Sequence, residues 1–523
     1  MFVAFLDIKK AFDTVWHTGL FRKLTNVGIT GHLLNTIREA YKGMSSAVTW
    51  QGMTSHWFPV ESGVRQGGVL STFLYQTFID NLLDYLSKSK HGAVIDRVPS
   101  GNPTLADDIT LISTSPRSLQ HLLNICQEYS MKWKFEFSDT KCKVLVIGNY
   151  IPRNPNETWT LGHHTLDISH SQTHLGTVFS SKLSNTERIT NACDKGRITL
   201  HSIVGVAPSL SAISPVVKTS LYKKVVLPSI LYGCEHWTNL TVTEISKIAC
   251  FQHYAVKLIL GLPRRTRSDI AESILGLFRI SAEVDRRKLL FLQKMIAMDQ
   301  SYLPKQIFTI RLHLYISVLP NTPANHKGYF PDIVKVLRKY NLLYYLETYL
   351  RSYIFPTKSQ WKRIVKSTIR SYENSALKER MANDNDFSFF QKIHCSYDLY
   401  SLWHAAESPS DMQNIYYICS VLALPSGLAD EQCPLCTMSH DVAVIHLCAD
   451  CIVNIALKQS FMEDILITFG PTVFHFIERM DATAFTRTIL GANTGIPFID
   501  DTDYEQFLMK SVRFVARVTR CLL

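Results

Sequence analysis

No run in this chain of 523 residues approaches 18 uninterrupted apolar residues, so the sequence offers no candidate for a membrane-spanning helix. The opening MFVAFLDIKKAFD lacks a basic n-region and a small-residue cleavage site, so no secretory signal is expected. There is no internal repeat. Charge is sparse, with Asp, Glu, Lys and Arg making up 19% of the residues. Acid is the scarcer sign: 44 Asp and Glu against 55 Lys and Arg leave a formal net charge of +11. That balance favours polyanionic partners, nucleic acid or an anionic membrane, without choosing between them. The 12 cysteines are mostly scattered, but Cys433, Cys436, Cys448 and Cys451 cluster. In a chain this large such a cluster suits a metal better than a disulfide framework and implies a reducing compartment. Hydrophobic residues make up 46%, which marks a folding chain. Its length gives a prior of roughly three or four domains.

Strand and helix signals alternate over the first 150 residues. FVAFLDI (2–8) reads as a strand, AFDTVWHTGLFRKL (11–24) and HLLNTIREAYKG (32–43) as helices, and SSAVTW and HWFPVES as short strand-like runs. Ser71 is placed to cap a helix over 71–86, where Leu74, Phe78, Leu82 and Leu86 recur every four residues and form one apolar face. SLQHLLNICQEYSMKW (118–133) is helical in pattern and KCKVLVIG (141–148) a strand. Elements in this order predict an α+β domain with helices against a sheet. Beyond about residue 185 the pattern is mainly helical, interrupted by proline-rich breaks at 319–331 and a compact Cys/His unit at 426–455.

Within GNPTLADDITLIS (101–113) two carboxylates, Asp107 and Asp108, stand side by side between apolar flanks. They are expected at the tip of a tight hairpin. Neighbouring residues on a strand point to opposite faces, so both can serve one site only if the turn re-aims one of them. Asp7, at the end of an apolar strand, is a candidate third carboxylate. Carboxylates from separate strands can hold two divalent ions about 4 Å apart, which activate an attacking oxygen and neutralise a transferring phosphoryl group. Mg²⁺ suits such a site, and a bound cation removes the repulsion between the carboxylates. By itself the acidic pair fits a solvated surface turn better than an active site. Asp13 is a weaker ligand candidate and is placed to cap a helix. GVRQGG (63–68) sets glycines, Arg65 and Gln66 before a helix, where backbone can approach a phosphate or base pair closely.

The Cys/His unit, CPLCTMSHDVAVIHLCADC, opens with Cys433-x2-Cys436, a knuckle that needs two later ligands to complete a tetrahedral zinc site. His440, His446, Cys448 and Cys451 are the candidates. Lys362, Lys366 and Arg370 fall four apart on one helix face, with Lys358, Arg363, Lys378 and Arg380 nearby, and Arg264, Arg265 and Arg267 form a second basic group. Such groups can follow a phosphate backbone or form a solvated face. Trp133, Trp159 and Trp237 are expected to pack in cores.

Taken together, these motifs resemble the reverse transcriptase of non-LTR, LINE-like retrotransposons. FLDIKKAFDTVWH resembles the first palm motif, SGVRQGGVLSTFLY the second, LADD the third, WKFEFSDTKCKVLVIG the fourth and THLG (173–176) the fifth; LPSILYGCEHW (227–237) and GLPRRTRSDIAESILGL (261–277) resemble the thumb and connection. The resemblance implies Asp7, Asp107 and Asp108 as Mg²⁺ ligands and Lys141 as proton donor to the pyrophosphate. It implies Phe12 as the steric gate against a ribose 2′-OH, with Arg65, Gln66 and Gly67 at the template and incoming nucleotide. His174, Leu175 and Gly176 would form the primer grip. A similar C-terminal module in the family selects Cys433, Cys436, His446 and Cys451 as Zn²⁺ ligands. Ser71-Thr72 stands where the family usually has Ser-Pro, Leu105 where it usually has an aromatic, and Ser138 where the fourth motif often has Asn.

The implied fold is a polymerase right-hand palm of mixed or antiparallel sheet with helices over 1–180. A helical thumb and connection follows over 181–310, a helical basic linker domain over 311–425, the zinc module over 426–455 and a C-terminal helical region over 456–523. The implied activity is RNA-directed DNA synthesis on an RNA template from a DNA primer or target with deoxynucleoside triphosphates, in the nucleus and without a membrane partner. The family's fingers precede the first motif, so an N-terminally truncated chain lacking fingers and endonuclease is expected. The alternative is an inactive element-derived fragment that at most binds nucleic acid through its basic helices and zinc module.

Overall fold

The computed structural model describes all residues except 149–157, 206–213, 263, 265, 319–326, 385–387, 423–431, 493–495, 498 and 523. Arg265 of the second basic group therefore lies outside the described residues. The chain divides into two compact units, one of residues 1–188 and 298–322, the other of 189–297 and 323–523.

The first unit is built on β1 (Phe2–Leu6), whose five residues are all buried. Its side chains are apolar at both parities, so the strand needs cover on both faces and a neighbour on each side. Two-residue ladders follow, β2 (Ser45–Ser46) with β5 (Phe58–Pro59), β3 (Thr49–Trp50) with β4 (Met53–Thr54), and β6 (Val94–Ile95) with β7 (Val98–Pro99). The main sheet takes β8 (Thr104–Leu105), β9 (Asp108–Ser113), β10 (Lys143–Val146), β11 (Trp159–Leu161) and β12 (His164–Ser169) in the order β11-β12-β10-β1-β9-β8. It is mixed: β10 and β12 run parallel, the other pairs antiparallel. A hairpin of β13 (Ser171–His174) and β14 (Thr177–Ser180) completes the strands.

Helices α1 (His17–Asn26), α2 (Gly31–Tyr41), α3 (Ser71–Lys88) and α4 (Pro116–Trp133) belong to the same unit. Phe2, Ala4, Leu6, Ile109 and Leu111 share one buried cluster with Leu74, Phe78 and Leu82 of α3 and Leu119 and Leu122 of α4. On the other face Val3, Phe5 and Leu145 pack with Ile112, Ile147 and Phe179. Buried Lys23 of α1 donates to the Phe78 carbonyl and the Tyr129 hydroxyl, with its ammonium 3.9 Å from the Trp133 ring centroid. The helix expected over 11–24 begins only at His17. The preceding backbone is committed elsewhere: the Val64 N–H donates to the Phe12 carbonyl at 2.7 Å and the Gly63 N–H to the Val15 carbonyl at 2.8 Å. Asp13 caps no helix, since Trp16 occupies the N-cap position of α1. Ser71 is the first residue of α3 rather than its cap, and its hydroxyl turns back to the Arg65 carbonyl.

The second unit is helical: α5 (Thr186–Gly205, entering from the first unit), α6 (Pro215–Leu221), a π-helical turn Tyr222–Val226, α7 (Leu227–Ile230), α8 (Val242–Leu260), α9 (Ser268–Ile274) and α10 (Ile280–Ala297). Helix α11 (Leu303–Val318) lies in the first unit. The second unit resumes with α12 (Tyr329–Lys339), α13 (Leu343–Ser352), α14 (Lys358–Ala382), α15 (Ser388–Ile393), α16 (Pro409–Leu422), the single turn α17 (Ala443–Ile445), α18 (Ile455–Glu478, kinked at Gly470), α19 (Ala482–Ile489) and α20 (Asp501–Val518). Helix α8 opens on a capping box of Thr241 and Glu244 and stops at Gly261 in the left-handed conformation. Trp361 of α14 is fully buried and its indole N–H donates to the Leu289 carbonyl at 2.8 Å, tying α14 to α10. Among the described residues no single helix is long and apolar enough to cross a membrane; Ala443–Asp450 and Ile452–Glu478 reach that length only as a pair bent by 43°.

Candidate active site and candidate metal centre

β1 and β9 pair with Phe5 opposite Thr110 and Leu6 opposite Ile109. One step further along this register, Asp7 comes level with Asp108. Opposed residues of an antiparallel pair share a face, so these two carboxylates leave the sheet on the Val3–Phe5 side, away from the helices. Leu105 pairs with Asp108, which leaves Ala106 and Asp107 as a two-residue turn with Ala106 at φ +55°. The turn carries Asp107 to the same end of the sheet: the charges of Asp107 and Asp7 both reach the Tyr75 hydroxyl and the Asp108 carboxyl. The Asp108 carboxyl is raised above its ordinary value, first by burial; His174 opposes the rise, Asp107 and Asp7 add to it, and Lys141 opposes it.

Lys141 lies just before β10 and its ammonium is 3.2 Å from the Asp7 carboxylate. The Ser138 N–H donates to the Asp7 carbonyl at 2.8 Å, and Cys142 lies under the same peptide, so β1 and the fourth motif are locked together at the carboxylate. The three carboxylates offer oxygen ligands of the kind a hard divalent cation such as Mg²⁺ takes, and the Lys141 ammonium stands as the counter-charge on one of them. His174, Leu175 and Gly176 form the tip of the β13–β14 hairpin, with Leu175 at φ +48° and Gly176 at φ +75°. The hairpin reaches the carboxylate face of the sheet: His174 Nε2 is 3.0 Å from the Thr110 hydroxyl and its ring centroid 4.9 Å from that of Phe5. Burial lowers the His174 pKa, partly offset by Asp108.

Phe12 stacks on Tyr75 with centroids 4.9 Å apart and planes 20° apart. The glycine loop sits against this segment. Gly63 has φ +94°, and a Cβ there would stand 2.9 Å from Asp13 backbone atoms, so the approach requires glycine. The Gln66 amide donates to Asp13 at 2.9 Å, while Arg65, Gln66 and Gly67 remain exposed. The residue that sequence reasoning missed is Tyr75. It is 2% exposed, and its hydroxyl has no hydrogen-bond partner among the described residues. Burial, then the charges of Asp107 and Asp7, push its pKa well above that of a free tyrosine. An aromatic on an apolar helix face reads as core, and only the tertiary packing brings its hydroxyl within the field of Asp107 and Asp7.

The second unit brings Cys433, Cys436, His446 and Cys451 together, with one donor atom from each and all four within 4.8 Å of one another. Cys433 and Cys451 sulfurs are 3.9 Å apart, and Cys436 Sγ is 3.1 Å from His446 Nε2. A tetrahedron with Zn–S bonds of about 2.3 Å has S···S edges of about 3.8 Å, so N/S donors at these spacings fit zinc. The Thr437 N–H bonds the Cys433 carbonyl at 2.9 Å and the Leu435 N–H points at the Cys433 sulfur at 3.4 Å, which builds the knuckle. A π-helical turn, His446–Asp450, closes with the Cys451 N–H on the His446 carbonyl at 2.7 Å and sets the last two donors on one side. Cys448 is buried in the larger core of the unit, and the His440 ring stands 5.5 Å from that of His446; neither joins the cluster.

Residues 1–177 match the family model described as reverse transcriptase (RNA-dependent DNA polymerase), and that family's fold is the polymerase palm. The chain is 28% identical over 273 residues to the RNA-directed DNA polymerase from mobile element jockey of Drosophila funebris, covering 50% of this chain and 29% of that one. It is 23% identical over 288 residues to the probable RNA-directed DNA polymerase from transposon X-element of Drosophila melanogaster, covering 54% and 31%. Over 141 residues it is 28% identical to the Pol polyprotein from the type-2 retrotransposable element R2DM of the same fly, covering 27% and 13%. The chain thus spans less than a third of the length of each of these relatives. Residues 1–177, with their carboxylates gathered at the end of β1 and β9, are a reverse transcriptase domain of the LINE-like, non-LTR retrotransposon kind.

Proposed function

We propose that the chain works as an RNA-directed DNA polymerase, extending a DNA primer or target 3′-OH along an RNA template with deoxynucleoside triphosphates. The observation that carries this reading is the level register of Asp7 and Asp108 on one face, with Asp107 in the adjoining turn and Lys141 on Asp7. Asp7, Asp107 and Asp108 would hold Mg²⁺, which when bound supplies charge neutralisation at the transferring phosphoryl group. Lys141 would give a proton to the departing pyrophosphate, and its ion pair with Asp7 keeps the ammonium at the site until substrate arrives. Phe12, held flat by Tyr75, would exclude a ribose 2′-OH. The exposed Arg65, Gln66 and Gly67 would meet the template and nucleotide, and the His174–Gly176 tip would grip the primer end.

The helices of the second unit would serve as thumb and linker, and the Cys433, Cys436, His446 and Cys451 cluster as a Zn²⁺ site that stabilises its own small unit. The nucleus is the proposed place of action. The experiment is primer extension on an RNA template with Mg²⁺, comparing the chain with Asp107→Ala. Extension by the unchanged chain and its loss in the variant is the expected result; equal background from both overturns the proposal.

A further inference from the structure

A cavity of about 310 Å³ lies within the second unit, walled by the π-helical turn, α7, α8, the α9–α10 loop, α10 and α14. Four cationic side chains line it, Lys223, Arg286, Lys362 and Lys366, against one carboxylate, Glu283, which already accepts from Arg286 Nε at 2.7 Å. The net lining charge is therefore 4 − 1 = +3. Lys362 and Lys366 are exposed and form no ion pair among the described residues, whereas Arg370, one turn further on α14, is paired with Asp398. The basic face seen in the sequence thus divides: its first two lysines stand over the cavity and its third is satisfied.

Below this rim the wall is apolar, with partly buried Phe278 and Leu290 and buried Val365. The Phe278 ring is held edge-on by Tyr397, centroids 5.5 Å apart. The loop that carries it is pinned: the Tyr400 N–H donates to the Ile274 carbonyl at 3.1 Å, and a Cβ on Gly276 (φ +60°) would come within 2.8 Å of the Leu399 nitrogen. Lys223 Nζ already donates to the Gly276 carbonyl at 3.0 Å, and the uncharged polar side chain of the wall is engaged as well. The Gln252 amide donates to Glu272 at 2.7 Å and to the Phe278 carbonyl at 2.9 Å, and its oxygen accepts from Tyr222.

A preformed pocket with an apolar wall and a ring of positive charge matches one ligand chemistry, a flat apolar body joined to phosphodiesters. We propose that this cavity seats one unpaired nucleotide of a single-stranded polynucleotide, its base against Phe278 and Leu290 and its flanking phosphates on Lys362, Lys366 and Lys223. With Gln252 occupied, the wall offers stacking rather than edge reading, so binding tolerates any base. A duplex keeps its bases stacked inside and does not fit. This site goes beyond the polymerase reading and stands without it.

The test uses the full chain without primer or triphosphates. The probes are a 12-nucleotide single-stranded RNA, the same sequence as DNA, and the blunt duplex, each with a central 2-aminopurine. Single strands should bind more tightly than the duplex, and 2-aminopurine emission should change only with them; the RNA and DNA arms show whether the sugar matters. Lys362→Glu with Lys366→Glu should weaken single-strand binding and reduce the slope of log K against log salt by about 1.4, the value for two phosphate contacts. Phe278→Leu, which keeps apolar bulk, should lower affinity about 5-fold or more and abolish the emission change with the salt slope intact. Lys378→Ala, on the same helix away from the cavity, should do neither. Equal affinity for duplex and single strand, an unchanged emission response in Phe278→Leu, or equal effects from the Lys378 and Lys362/Lys366 variants would overturn the assignment.

Discussion

Replacing Lys23 with methionine tests how the helices behind the carboxylates are held. Lys23 is 1% exposed, and its ammonium faces the Phe78 carbonyl, the Tyr129 hydroxyl and the rings of Phe78, Tyr129 and Trp133. Two effects oppose each other: ring faces and a carbonyl favour the charged form, while loss of hydration disfavours it. Burial wins and lowers the pKa from 10.5 to about 7, with Asp80 raising it slightly and Lys132 adding to the fall. The unfolded chain therefore binds more protons than the folded one between about pH 7 and pH 10.5. The stability contributed by this group is complete above the unfolded value, declines as pH falls through that window, and levels off below about 7. From pH 7 to pH 9 the linkage amounts to about 2 kcal/mol, with one pKa unit worth about 1.4 kcal/mol. Methionine has similar length and no charge. Hydrogen exchange of α1, α3 and α4 amides, wild type against Lys23→Met at each pH, isolates the effect because intrinsic exchange cancels. The variant's advantage should shrink by about 2 kcal/mol between pH 7 and pH 9. A difference that stays flat would mean that the aromatic cage keeps the ammonium charged, and would refute the reasoning.

Phe12→Ala should leave deoxynucleotide incorporation measurable while raising ribonucleotide incorporation about 10-fold or more, read in paired primer-extension assays, since the stacked ring beside Tyr75 is the side chain proposed to meet the 2′ position. Cys436→Ser should lose stoichiometric zinc by elemental analysis and unfold at lower temperature, whereas Cys448→Ser, outside the cluster, should retain the metal. Burial raises the Glu272 carboxyl from 4.5 to about 7, so the second unit should lose stability as pH rises from about 4.5 through 7, and Glu272→Gln should flatten that slope in urea titrations. Trp361→Ala should cost about 3–5 kcal/mol, measured by the same titrations, because it empties a fully buried site and removes the hydrogen bond to the Leu289 carbonyl.

Local pattern was enough to read the elements whose cause is local. The apolar strand at Phe2–Leu6, the four-residue spacing along α3 and the Cys-x2-Cys knuckle follow from side-chain periodicity and turn chemistry, and the structure has each of them. The start of α1 was not legible, because its upstream backbone is claimed by Gly63 and Val64, some 50 residues away in sequence. The fate of the basic face was not legible either: Lys362 and Arg370 look alike on a helical wheel, and only Asp398 on a separate segment tells them apart.

By itself, then, the sequence determined which residue types were available, three carboxylates, a lysine, a glycine loop and a Cys/His set, and the α+β character of the first unit. Tertiary structure decided which of them meet. Sheet register brings Asp7 level with Asp108 across more than 100 residues, a shift of one residue would send them to opposite faces, and no local preference encodes that pairing. The same long-range packing puts the hydroxyl of the core residue Tyr75 within the field of Asp107 and Asp7, and turns scattered lysines into the rim of one cavity.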